Sequence, residues 1–315
     1  MRFQMLRRQV HDKPPDQPCV VMLGSSLTAM GFNPSALTTV KPASEGGPVV
    51  FNFGLPSGRS VVQLLTLRRM LAGGVRPDFV LIDTQGAFCA GANQFGAETY
   101  YPLLRLQGND LPVICRYDPD GDAVCDRWLR LQRFPWLSYR KNLQACLLPR
   151  WATSAEQSEM SWRFIDQNGW LVLPHYLDGT KHWSHEQKSQ SPRYWAKGIS
   201  SQPCSESLIR VYREIVSLCQ RVGVRIVMVR MPEYSVMRAE IKPETQAQLD
   251  LIHADLSRAT GEPVIDARAW VPDDEIFDGT HLSPAGSVRF TRRLEKDALE
   301  PLLFKRTRAE PPTSH

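Results

Sequence analysis

Cys19-Val20-Val21-Met22-Leu23-Gly24-Ser25-Ser26-Leu27 is the stretch on which the fold turns. Five apolar residues follow one another without polar alternation and stop at a glycine and two hydroxyls. A strand covered on both faces has this pattern, whereas a half-solvated strand would alternate. Its exit at Gly24-Ser25-Ser26 sets polar groups on a tight turn.

Reading outward, Val49-Val50-Phe51-Asn52-Phe53 repeats the pattern and ends at Gly54. The spacing of Val61, Leu64, Leu65 and Leu67 predicts a helix over Ser60 to Ala72, stopped by Gly73-Gly74. Pro77 precedes a third strand, Phe79 to Ile82. After a long interval, Leu208, Val211, Ile215 and Leu218 mark a helix over Ser207 to Arg221, and Gly223 leads to a strand at Val224 to Val229. A helix at Gln246 to Thr260, a short strand at Pro263 to Ile265 and a helix from Ser283 to Leu303 complete the series.

Strands alternating with helices specify an α/β fold: a three-layer sandwich with a central parallel sheet. Ligands of such sheets bind beyond the carboxyl ends of the strands, where Ser26, Gly54 and Gln85 all fall. The α/β domain spans 19–90 and 203–304, preceded by an extension at 1–18. Residues 91–202 form an insertion or cap holding seven of the eight tryptophans, and 305–315 read as a frayed tail.

Bulk composition excludes several classes. With 315 residues and 42% apolar content the chain buries a large core, so disorder is not its main state. A net charge of +5, from 38 basic and 33 acidic residues, is too mild and too dispersed to imply nucleic acid, and Arg68-Arg69, Arg292-Arg293 and Lys305-Arg306 read as solvated faces. The cysteines at 19, 89, 115, 125, 146, 204 and 219 contain no C-x-x-C pair, which argues against a disulfide scaffold or a zinc ribbon; Cys19, Cys89 and Cys219 read as small core residues. No apolar run is long enough for a signal peptide or a membrane span, so the chain as written reads as cytoplasmic, or envelope-associated if an upstream anchor is missing.

The chemistry concentrates at two places. A serine hydroxyl is a weak nucleophile at neutral pH and needs a histidine to take its proton and an acid to orient that imidazole. Ser26 stands where a strand meets a turn. Far along the chain, Phe277-Asp278-Gly279-Thr280-His281-Leu282-Ser283-Pro284-Ala285-Gly286 places an acid and a histidine three residues apart. Gly279 eases the backbone between them, and Ser283-Pro284 reads as a helix cap with proline at the first helical position.

These segments resemble the SGNH, or GDSL, hydrolase superfamily. Gly24-Ser25-Ser26-Leu27 matches its Gly-Asp-Ser-Leu block with Ser25 in place of the aspartate, and Asp278 with His281 matches its Asp-x-x-His before the last helix. The resemblance implies an SGNH hydrolase-like, flavodoxin-like sandwich, with Ser26, Asp278 and His281 as catalytic triad. It further implies an oxyanion hole from Ser26 and from Gly54 of Asn52-Phe53-Gly54-Leu55-Pro56-Ser57-Gly58. The family's Gly-x-Asn after the third strand has no counterpart in Ile82-Asp83-Thr84-Gln85-Gly86; Gln85 is the nearest amide, in a different frame. One missing donor of that kind typically costs about 3 kcal/mol in the transition state.

The implied activity is a serine esterase or deacylase acting on an O-acyl ester, with a small molecule or carbohydrate as substrate and no cofactor. The long insertion and Arg225 to Pro232 look most like the bacterial branch tied to envelope polysaccharides. An O-acyltransferase and an inactive binding protein of the same fold are the alternatives, the latter favoured by the missing asparagine.

Other constellations carry less. His175, Asp178, His182 and His185 match no closed zinc pattern and no H-E-x-x-H helix, so no metal is expected. Tyr101, Tyr117, Trp128 and Arg130 are candidates for a substrate groove, and the tryptophans for stacking on sugars, but irregularly spaced aromatics more often build a cap's own core. Gly24-Ser25-Ser26 lacks the lysine of a phosphate loop and the further glycines of a dinucleotide turn.

Overall fold

The computed structural model describes residues 1–56, 58–84, 106–118, 120–134, 161–173, 183–201 and 204–308, together with positions 136, 140, 143, 144 and 147. Five parallel strands form the central sheet: β1 (Cys19–Gly24), β2 (Val49–Gly54), β3 (Phe79–Asp83), β4 (Arg225–Arg230) and β5 (Ile265–Asp266). Their spatial order is β2-β1-β3-β4-β5, the flavodoxin-like doubly wound order. The fold is the α/β sandwich that the alternation predicts.

Both faces of the sheet are covered, which is why its strands read as continuous apolar runs. Cys19, Val21 and Leu23 point into one core layer with Leu64 and Leu67 of helix α3 (Ser60–Ala72). Helix α1 (Arg2–His11) adds Leu6 to the same layer. Val20 and Met22 point the other way, against Phe32 and against Phe290 and Leu294 of the late helix at Pro284–Leu294.

Segments outside the strand series also contact this core. The extension at 1–18 contains α1, whose Arg2 guanidinium donates to the Gly169 carbonyl through Nε at 3.2 Å and Nη2 at 2.9 Å. Within 91–202, helix α4 (Leu111–Tyr117) buries Val113, Ile114 and Tyr117 in the first core layer, and α5 (Gly121–Arg133) follows it. Helix α6 (His185–Ser200) contributes Ala196 and Ile199 to that layer.

The remaining helices among the described residues are α7 (Glu206–Arg221), whose Val211, Tyr212, Ile215 and Cys219 fill the same layer, then α8 (Ser235–Glu240), α9 (Pro243–Thr260), α10 (Pro284–Leu294) and α11 (Glu300–Arg308). A single helix is predicted over Ser283 to Leu303, but a π-helical turn at Glu295–Leu299 separates α10 from α11. At that turn the Glu295 carboxylate accepts the N–H groups of Thr38, Thr39 and Val40 at 2.9, 2.8 and 2.8 Å, tying the end of the chain to the loop after α2 (Ser26–Gly31). No helix among the described residues is long and apolar enough to cross a membrane.

Candidate active site

Ser26 is the first residue of α2, immediately beyond the carboxyl end of β1. Gly24 is required there: a Cβ on it would lie 2.0 Å from Thr28 Oγ1 and 2.7 Å from Asp83 Cβ. The next residue, Ser25, caps α2, its Oγ accepting the Leu27 N–H at 3.2 Å. That hydroxyl in turn donates to Asp83 Oδ2 at 2.9 Å, and the Ser25 N–H reaches the same oxygen at 3.2 Å. Thr28 Oγ1 donates to it as well, at 3.3 Å.

Asp83 therefore holds the turn on both sides of Ser26. The resemblance puts an aspartate at position 25; this chain has a serine there and brings the carboxylate in from the end of β3. Sequence reasoning passed over Asp83, although an acid closing an otherwise apolar buried strand was the available signal. Below it, Gln63 Nε2 donates to the Asp83 carbonyl at 3.1 Å and to the Gly58 carbonyl at 3.2 Å, and Tyr212 OH donates to Gln63 Oε1 at 3.0 Å.

The acid–histidine loop arrives from the other end of the chain. His281 Nε2 lies 2.8 Å from Ser26 Oγ, and His281 Nδ1 lies 2.9 Å from Asp278 Oδ2. Asp278 Oδ1 also accepts the N–H groups of Thr280 and His281 at 3.0 and 2.8 Å, so the loop is closed by its own carboxylate. Burial works to raise the Asp278 pKa. The hydrogen bond and charge of His281 and the two backbone N–H groups outweigh it and hold the carboxyl well below the usual range. An ionised acceptor at Oδ2 selects the Nδ1–H tautomer and makes Nε2 the acceptor of the Ser26 hydroxyl.

Two elements brace this loop. Ser283 Oγ accepts the Gly286 N–H at 3.2 Å and Pro284 opens α10, the cap read from the sequence. On the opposite side lies α6. Lys188 Nζ donates to the Ile276 carbonyl at 2.7 Å, and Ser191 Oγ pairs with Thr280 Oγ1 at 3.1 Å. Pro192 inside α6 has no N–H for the Lys188 carbonyl four residues before it. That carbonyl faces Gly279, whose φ is +82° and on which a Cβ would lie 1.8 Å from Lys188 O.

The Gly54 N–H donates to Asn52 Oδ1 at 2.8 Å, so it is already engaged. Gly54 itself serves close packing, since a Cβ there would meet Ala29 N at 2.3 Å. Asn52 was not singled out, yet its Nδ2 donates to the Thr28 and Phe32 carbonyls at 2.7 and 2.5 Å and ties α2 to β2. Gln85, Tyr101, His175, Asp178 and His182 lie outside the described residues. His185 Nδ1 pairs with Tyr234 OH at 2.7 Å, and no group of metal-holding side chains occurs among the described residues.

Tyr117 is a core residue, its hydroxyl donating to Glu214, and Trp128 Nε1 donates to the Leu106 carbonyl at 3.1 Å; Arg130 sits on the exposed side of α5. Trp128 and Trp195 pack on the core and Trp170 Nε1 donates to the Met30 carbonyl at 2.8 Å, whereas Trp136 and Trp183 are exposed. Cys19 and Cys219 are buried, as read; Cys89 lies outside the described residues.

No family model matches the chain, and no curated protein does. Among solved structures it is similar to a Bacteroides fragilis protein provisionally assigned as an acylhydrolase, with TM-score 0.41 and 10% identity over 95% of this chain and 96% of that one. It is also similar to a carbohydrate acetylesterase from Sinorhizobium meliloti, with TM-score 0.37 and 12% identity over 90% of this chain and 100% of that one. A third is a point-mutant esterase, with TM-score 0.30 and 12% identity over 96% and 89% of the two chains.

Proposed function

We propose that the chain is a serine ester hydrolase of the SGNH type. The observation that supports it is the relay from Ser26 Oγ through His281 to Asp278, two consecutive hydrogen bonds of 2.8 and 2.9 Å. His281 Nε2 takes the hydroxyl proton as Ser26 attacks the acyl carbonyl, and returns it to the leaving alcohol. Asp278, held ionised, keeps the ring oriented and stabilises the imidazolium between those steps. Water activated by the same nitrogen then releases the acyl group.

The oxyanion is assigned to the Ser26 N–H, which meets no acceptor among the described residues. Gly54 joins it only if its N–H lets go of Asn52 Oδ1, and Gln85 remains the proposed side-chain donor. A hole short of one strong donor suits activated or short-chain O-acyl esters, on small molecules or carbohydrates, better than amides.

The test is labelling by a fluorophosphonate, with p-nitrophenyl acetate hydrolysis measured in parallel. Native protein is expected to label and to turn over, and Ser26→Ala to do neither. Labelling that survives in Ser26→Ala refutes the assigned nucleophile, and a native protein inert to both reagents refutes the enzyme reading.

A further inference from the structure

Away from the site, α4 and α5 fold back on one another across the short connection after Tyr117. Gly121 opens the way: a Cβ there would lie 2.6 Å from the Cα of Cys115 and 2.8 Å from the Ile114 carbonyl. At this crossing Cys115 Sγ and Cys125 Sγ are 2.7 Å apart. A covalent disulfide needs about 2.05 Å, so the two sulfurs close by well under about 1 Å of movement. Cys115 is exposed to a reagent in solution and Cys125 is half-buried behind it.

The two helices are anchored unequally. Helix α4 seats Val113, Ile114 and Tyr117 in the core, the Tyr117 hydroxyl donates to Glu214, and Ser207 Oγ donates to the Tyr117 carbonyl. Along α5 the buried positions are Gly121 and Val124, with the Trp128 indole bonded to the Leu106 carbonyl further on. A covalent link at 115–125 adds restraint between the two helices.

We propose that Cys115 and Cys125 are a thiol–disulfide site at which a disulfide-bearing oxidant installs a staple between α4 and α5. The accessible Cys115 thiolate attacks the oxidant's disulfide, forming a mixed disulfide and releasing one thiol. Cys125 then attacks Cys115 Sγ, forming the internal S–S bond and releasing the second thiol. In total the pair gives up two protons and two electrons and the oxidant becomes two thiols. Cys115 is the sulfur that a reagent in solution reaches, which makes it the attacking partner, and the half-buried Cys125 is the resolving one.

The sequence offers a direct readout, because trypsin cleaves after Arg105, Arg116 and Arg127 and so separates the two cysteines. The full-length protein is equilibrated with oxidised glutathione, its remaining thiols are alkylated, and it is digested without reductant. The expected product is peptide 106–116 joined to peptide 117–127, two hydrogen masses below their sum. Recovery of the two peptides separately, alkylated or capped by glutathione, overturns the site. Amide exchange along α5 is expected to slow about tenfold in the oxidised protein relative to the reduced one, with no such change in Cys125→Ser. Equal exchange in oxidised and reduced native protein overturns the staple.

Discussion

Asp83 Oδ2 lies 2.9 Å from Ser25 Oγ and 3.2 Å from Ser25 N, so one buried carboxylate on β3 fixes the residue directly before Ser26, the proposed nucleophile. The same oxygen takes the Thr28 hydroxyl, and with it the turn is held from both sides. The Ser26 hydroxyl inherits its position from this contact.

Exchanging the two side chains tests that relationship. Ser25→Asp alone places a second carboxylate against Asp83 in a half-buried site and is expected to cost roughly 2 to 4 kcal/mol of stability and most of the proposed esterase activity. The double variant Ser25→Asp with Asp83→Ser restores a single carboxylate and is expected to recover at least part of both. Urea unfolding and p-nitrophenyl acetate turnover measure the pair; equal damage in the single and double variants contradicts the shared-carboxylate argument.

Asp278→Asn keeps the shape of the loop but replaces the oxygen that selects the Nδ1–H tautomer. A fall in kcat of about 10³-fold to 10⁴-fold is expected with KM little changed. Steady-state kinetics on a p-nitrophenyl ester decide it, and a loss below tenfold contradicts the role.

Gly279 combines a φ of +82° with an approach to the Lys188 carbonyl that leaves no room for a methyl group. Gly279→Ala is expected to destabilise the fold by at least ~2 kcal/mol and to lower turnover as the His281 ring is displaced. Thermal unfolding together with kcat checks both effects. A variant of native stability and activity contradicts the brace from α6.

Two buried groups give the stability a pH dependence of opposite sign. His253 bonds Leu249 O through Nδ1 at 2.7 Å and Thr84 Oγ1 through Nε2 at 2.9 Å; burial first, then the charges of Arg230 and Arg268, lower it to about 4. With a folded pKa below the unfolded 6.5, the unfolded chain takes up the proton first, and stability is lost as pH falls from 6.5 toward 4. The contribution to that loss at pH 5 is about 2 kcal/mol. His253→Gln is expected to flatten this limb in urea melts.

Glu233 behaves in reverse. Burial raises it to about 7 despite Arg268, Arg230 and Arg238, and its Oε2 lacks a hydrogen-bond partner among the described residues. The folded protein keeps its proton longer than the unfolded chain, so its contribution is present below pH 4.5 and is lost as pH rises through 7. Glu233→Gln is expected to be more stable than native protein at pH 8 by roughly 2 kcal/mol and to lose that advantage near pH 5. Paired melts at the two pH values check it.

How far the sequence could be read depended on the range over which each feature is encoded. Strands β1 and β2 were legible because burial on both faces leaves an unbroken apolar run. Strand β5 is predicted at Pro263 to Ile265 but pairs with β4 through Ile265 and Asp266, beginning two residues further on. Asp278 and His281 could be related to one another because three residues separate them, and the loop cap at Ser283-Pro284 is local chemistry. The contact of Asp83 with Ser25 spans 58 residues, and that of Lys188 with Ile276 spans 88. No local pattern marks either. Helix α1 was missed for a related reason: its polar composition hides a single stripe through Leu6 that only the folded sheet gives meaning to.

Strand β2 lies at the border of the sheet, and two of its outward backbone donors, at Asn52 and Gly54, are engaged. Asn52 N–H donates to the Asn168 carbonyl at 2.8 Å, and Gly54 N–H is turned onto the Asn52 side chain. Arg2 grips the next carbonyl, at Gly169, from outside. A border strand with free donors is a template on which another molecule's strand can zip up. The turn at 165–172 works as a selvedge that stops the sheet from unravelling into its neighbours. A shortened chain without it would be expected to precipitate before it lost its hydroxyl chemistry.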